Sequence, residues 1–134
     1  MWNCPNCNRN FKVNNQSHMC TTKDIGELFV DKPDELVLAF DDILTVIEKW
    51  TPNTYGASVH TIVFTSKKAW LIIRPMKKDL DVKFYAEKAI DDERIFKIQD
   101  YNGKFAHHIR IKRSEELDSE FFRLLKIGFD YSLS

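Results

Sequence analysis

The sequence predicts an α+β fold: a two-layer sandwich in which a mainly antiparallel five-stranded sheet carries an N-terminal and a C-terminal helix, preceded by a small zinc knuckle. Three observations carry that expectation. Apolar residues recur at helical spacing near both ends of residues 23–134. Between them lie short alternating or β-branched runs, two of them joined by Asn102-Gly103. All three Cys fall before residue 21, in a segment too poor in apolar residues to fold unaided. The expected division is a knuckle over residues 1–22 and an α+β domain over 23–134.

Taking the elements in order, the first twenty residues hold six Asn and few large apolar side chains, chiefly Trp2, Phe11 and Val13. Asn favours turns, so this stretch reads as knuckles and loops. Within it, Cys4, Cys7, His18 and Cys20 stand in a C-x2-C-x10-H-x-C spacing. A CxxC turn aims two thiolates at one point, and a His and a Cys two apart can share one side of an extended segment. Together they supply the four tetrahedral ligands that structural zinc prefers, with no open position for catalysis. The competing readings are a redox CxxC, which should follow a strand and open a helix, and three unrelated thiols. Zinc accounts for the odd Cys count and would supply about 10–16 kcal/mol toward folding such a segment.

Asp24 and Glu27 have capping-box spacing and predict a short helical turn. Pro33, followed by Asp34 and Glu35, opens an amphipathic helix to residue 49 with Leu36, Phe40, Ile43, Leu44 and Ile47 inward. Residues 50–57, with Pro52, Asn53 and Gly56, read as a loop. Five strands follow, over residues 58–65, 69–74, 80–85, 94–100 and the run from Phe105, where His107 and Ile109 face one side and His108 and Arg110 the other. Ser114 is placed to cap the last helix, whose inner stripe is Leu117, Phe121, Leu124, Leu125 and Gly128. The outer Phe122 and Phe129 are candidates for a weak dimer contact.

Composition bounds the function. The 134-residue chain is 43% hydrophobic with only four Gly and four Pro, which excludes disorder. No apolar run approaches the roughly 20 residues that span a bilayer, and no signal pattern opens the chain. A cytoplasmic, reducing setting without membrane attachment is expected. Twenty Lys and Arg balance twenty Asp and Glu, which excludes a globally basic binder. The balance is uneven: residues 24–49 carry −6 and residues 50–83 carry +4. Lys67, Lys68, Arg74, Lys77 and Lys78 gather at the turns flanking the second predicted strand, with Trp70 nearby, as a nucleic-acid-binding surface would require. Solvated hairpin turns and a core Trp are the plainer alternative.

The leader Trp2-x-Cys-Pro-x-Cys-x-Arg-x-Phe11 with Asn15-Gln16-Ser17-His18-x-Cys20 resembles one found on small prokaryotic proteins. The body resembles the domain-of-unknown-function 5655 family. Leu28-Phe29 with Lys32-Pro33, Arg74-Pro75-x-Lys77-Lys78 with Leu80-Asp81-Val82, and Ile90-Asp91 carry the likeness, together with His107-His108-Ile109-Arg110-Ile111 and Glu115-Glu116-Leu117-Asp118. The resemblance implies a small bacterial cytoplasmic α+β domain, with no activity to carry over.

Candidate chemistry in the body is sparse. His107 sits on the apolar side of its strand and His60 alternates with Ile62 and Phe64, so both read first as core or edge residues. A shared pocket of His60 and His107 with Tyr55 or Tyr85 is the functional alternative. Asp81-Val82-Lys83 has the acidic-x-Lys form of a metal-dependent nuclease but lacks an evident partner acid. The favoured expectation is therefore a non-enzymatic zinc-binding or adaptor module whose partner is nucleic acid or protein, monomeric or weakly dimeric. The alternative is a nuclease-like or His-based hydrolytic enzyme using the sheet face.

Overall fold

The computed structural model describes the backbone of Trp2–Asn3 and Asn10–Phe11 and all of residues 25–133. Strands β1 (Trp2–Asn3) and β2 (Asn10–Phe11) pair antiparallel, Trp2 against Phe11. The expected zinc ligands Cys4, Cys7, His18 and Cys20 lie outside the described residues. The body runs α1 (Ile25–Leu28), α2 (Asp34–Ile47), β3 (Thr54–Ala57), β4 (Ile62–Thr65), β5 (Ala69–Pro75), β6 (Leu80–Ala86), β7 (Ile95–Asp100), β8 (Phe105–Ile111), a 3-10 turn at Ser114–Glu116, and α3 (Ser119–Leu133).

The six strands from β3 onward form one antiparallel sheet in the order β3-β4-β5-β6-β8-β7. The fold is thus α+β as expected, with six strands in place of five. The extra one, β3, lies in the segment expected to be a loop. Its Gly56 is tolerated because β3 is a four-residue edge strand that takes its register from β4, Gly56 opposite Val63. The first predicted strand is shorter than expected, because Ser58 and Thr61 close the β3–β4 connection by backbone and hydroxyl hydrogen bonds of 2.8 and 2.7 Å.

Alternation sends one side of each strand into the core. Ile62 and Phe64, Leu71 and Ile73, Leu80, Val82 and Phe84, and Ile109 and Ile111 are buried together with Leu36, Phe40, Ile43 and Ile47 of α2 and Phe121, Leu124 and Leu125 of α3. One irregularity enlarges this core. Phe64 faces Leu71 and Thr65 faces Ala69, so Trp70 is the additional residue of a bulge. Its ring meets Trp50 and Phe129 at centroid distances of 6.0 and 5.4 Å, and its indole N–H donates to the Asn53 side-chain oxygen.

Helix α3 approaches the sheet at Gly128, where a Cβ would come within 3.1 Å of the Tyr85 carbonyl oxygen and 3.3 Å of Phe84. Its cap differs from the expected Ser114. Asp118 accepts from the Phe121 N–H at 2.9 Å, and Ser114 instead opens the 3-10 turn that turns the chain out of β8. Phe129 is buried and Phe122 packs against the core, so neither forms an exposed dimer patch. Between β7 and β8, Asn102 and Gly103 take φ of 57° and 87°, the left-handed pair of a two-residue hairpin turn.

Candidate functional site

Among the described residues, the same alternation leaves the opposite sheet face without a helix over it. Register fixes what stands there. Asp81 of β6 lies opposite Arg74 of β5 and Arg110 of β8, and Lys83 lies opposite His108, which in turn faces Lys97 of β7. Tyr85 lies opposite Ala106, whose other neighbour is Gln99. A second bulge, between Ile95 and Lys97, turns Phe96 onto this face. Phe96 is 48% exposed, with its ring 5.9 Å from that of His108 and the Arg110 guanidinium 4.4 Å above it.

At the centre, His108 Nδ1 lies 3.0 and 3.3 Å from the two Asp81 carboxylate oxygens. An ionised carboxylate can only accept, so Nδ1 carries the proton. His108 Nε2 lies 3.3 Å from the Gln99 Oε1, an acceptor, so this contact is a hydrogen bond only when Nε2 is protonated as well. The Tyr101 hydroxyl donates to that same oxygen at 2.9 Å. Beside this chain the ammonium groups of Lys104 and Lys83 sit 4.0 and 5.4 Å from the Tyr85 ring. Arg74 and Arg110 thus flank the Asp81 carboxylate, and Lys83, Lys97 and Lys104 stand farther along the same face. None of the five is in an ion pair among the described residues. The face combines surplus positive charge with aromatic surfaces, an arrangement suited to an anionic, planar ligand.

The residues singled out from sequence are distributed differently. Lys67 and Lys68 stand at one end of β5 and Lys77 and Lys78 at the other, about 20 Å apart along a strand of this length. They form two separate turns. Lys68 lies over the Tyr131 ring at 4.0 Å, and Trp70 is fully buried and offers no stacking surface. Only Arg74 of the five belongs to the open face.

His60 is exposed in the β3–β4 connection, while β5 and β6 separate β4 from the strand that carries His107. The two imidazoles do not share a pocket. His107 is buried on the helix side, stacked on Phe84 at 4.9 Å, with its Nε2 accepting the Ile90 N–H at 2.9 Å. Burial pushes its pKa down, favouring the neutral ring, and its Nδ1 has no hydrogen-bond partner among the described residues. Asp81 and Lys83 do share the open face, but Asp81 is engaged by His108. Among the described residues no three His, Cys, Asp or Glu side chains group as a metal would need.

Sequence reasoning passed over Phe96, Lys97, Gln99, Lys104, His108 and Arg110. A signal for several of them was present: counting outward from Asn102-Gly103 pairs Gln99 with Ala106 and Lys97 with His108, as observed. What pairs with β8 on its other side could not be counted, because that neighbour is β6.

Among the described residues no helix is long and apolar enough to cross a membrane. No curated protein and no solved structure matches the chain. One family model does match, over residues 25–132, from α1 to the end of α3 and including every residue of the open face. The chain therefore belongs to the family described as domain of unknown function (DUF5655).

Proposed function

We propose that the protein is a non-enzymatic binding module whose open sheet face holds single-stranded nucleic acid. The observation that supports this best is the exposed Phe96, flanked by Arg110 and His108, with Tyr85 and its two lysines two strands away on the same face. Aromatic rings take bases only when these are unstacked, so a sheet face of this kind favours single strands over duplexes. The lysines and arginines supply the phosphate contacts, and Gln99 offers a polar side chain on the same face.

Fluorescence anisotropy with labelled single-stranded DNA and RNA tests the proposal. Binding that weakens as salt rises is expected. Phe96→Ala should weaken it by about 1–3 kcal/mol, the usual worth of one stacked base. Phe96→Ala and Lys104→Glu variants that fold but bind as the wild type does would overturn it.

Zinc belongs to the same proposal. Cys4, Cys7, His18 and Cys20 would hold a structural zinc, a reading supported by the β1–β2 pairing of the two strands that bracket Cys4 and Cys7 in the sequence. Metal analysis should find one zinc per chain, displaced by thiol-specific reagents.

A second reading rests on the His108–Asp81 pair. A carboxylate that fixes an imidazole's tautomer is the arrangement of a general base, which would serve hydrolytic chemistry. Turnover of a phosphodiester that vanishes in a folded His108→Ala protein would favour this reading over simple binding.

A further inference from the structure

Where β4 begins and β5 ends, the loop after α1 and the β3–β4 connection enclose a cleft of about 250 Å³. Lys32, His60 and Arg74 line it, with Glu27 the only acid in its wall among the described residues. None of the three basic side chains is in an ion pair among the described residues. Val30 and Val59, which are 64% and 58% exposed, also line it. We infer that this cleft is a phosphomonoester site, which receives the terminal phosphate of a strand lying on the open face.

Each part of the cleft matches part of such a ligand. A phosphomonoester is close to a dianion at neutral pH, and Lys32 and Arg74 supply two permanent positive charges. The Arg74 guanidinium can meet two phosphate oxygens at once, while Lys32 acts as a point charge and His60 as a hydrogen-bond donor. Glu27 can accept from a sugar hydroxyl. The volume falls below the roughly 300–1,000 Å³ that encloses a drug-sized ligand, so one nucleotide end fits and a longer segment does not.

Arg74 connects the two sites. Phe96 and Arg110, Asp81 and Arg74 form a row across β7, β8, β6 and β5, about 10 Å from the Arg110 strand to the Arg74 strand. A strand stacked on Phe96 can follow that row to the cleft. In this the inference rests on the reading of the open face, although the cleft's own chemistry does not require it.

The test uses the full chain with four probes: short oligonucleotides bearing a phosphate at the 5′ or the 3′ end, the same oligonucleotides with free hydroxyl ends, adenosine 5′-monophosphate, and inorganic phosphate. One phosphorylated end should bind about tenfold tighter than its hydroxyl twin, as expected for charge-assisted hydrogen bonds that form only with the phosphate. Lys32→Gln should remove that preference without changing the affinity for the hydroxyl form, since Lys32 is off the open face. Phe96→Ala should leave adenosine 5′-monophosphate binding intact. Oligonucleotides that bind equally with or without a terminal phosphate would overturn the cleft and leave the open face standing. Lys32-dependent binding of the nucleotide, with no binding of any oligonucleotide, would leave a mononucleotide site in the cleft but overturn the strand end as its ligand, together with the open-face reading. Inorganic phosphate bound as tightly as the nucleotide would overturn the assignment to an ester.

Discussion

His107 and His108 are neighbours in the chain, yet β8 turns one into the core and the other onto the open face. His107 accepts the Ile90 N–H through Nε2, so protonating that nitrogen removes an acceptor and places a charge beside Phe84. Its folded pKa is lowered from 6.5, chiefly by burial, so the unfolded chain binds the proton more readily. The contribution of neutral His107 is therefore complete above the unfolded value and is lost as pH falls from there through the folded one. His107→Phe leaves the Ile90 N–H unsatisfied and should cost about 1–3 kcal/mol near neutrality. Urea titrations should show that deficit narrowing as pH is lowered below 6.5, whereas a constant difference would contradict the assignment. Asp118 behaves oppositely. The Arg94 guanidinium and the Phe121 N–H hold its pKa down at about 2, below the usual 3.8. Its stabilisation is present above the unfolded value and lost as pH falls through the folded one. Thermal melts of Asp118→Ala should lie below wild type at neutral pH and merge with it near pH 2.

The packing of α3 on β6 turns on the absence of a side chain. A Cβ at Gly128 would press on the Tyr85 carbonyl, and the branches of a valine would press further into Phe84. Gly128→Val should destabilise by about 1–3 kcal/mol in chemical denaturation, despite the better helix propensity of valine over glycine. Elements whose own side chains decide their fate were legible in the sequence. The stripe Leu36, Phe40, Ile43 and Ile47 sets α2 without help from elsewhere, and Asn102-Gly103 sets the β7–β8 turn by its left-handed backbone alone. Elements decided by their neighbours were not legible. Strand β3 exists because β4 offers an unpaired edge, and Trp70 reaches the core because β5 has one residue more than β4 can pair. The open face suffered from the same limit. The alternation of Asp81, Lys83 and Tyr85 and of His108 and Arg110 was visible, but their adjacency requires β8 to lie against β6.

Across the whole molecule, a formal net charge of zero coexists with a face whose five cations join no ion pair among the described residues. The balancing acids stand elsewhere, notably on exposed positions of α2 such as Asp41 and Asp42. Total charge is a poor guide to such a surface, because segregation rather than surplus creates the local field. Reversing Lys104 and Arg110 together should weaken single-strand binding and lower its salt slope by about 0.7 for each phosphate no longer neutralised. Reversing Lys77 and Lys78, at the strand end, should change both far less. Equal effects from the two pairs would shift the interface to the β5–β6 turn.

The strand order also dictates a sequence of assembly. The β7–β8 hairpin closes over two turn residues, whereas the pairing of Leu80 with Ile111 must wait for a long stretch of chain to fold back. Inserting β8 beside β6 brings His108 to Asp81 and His107 to the Ile90 N–H in one event. The recognition surface and the buried imidazole are thus formed, and undone, together. Any excursion that lifts the β7–β8 hairpin, visible as exchange of the Ile109 and Ile111 amides, disarms the face while the rest of the sheet persists.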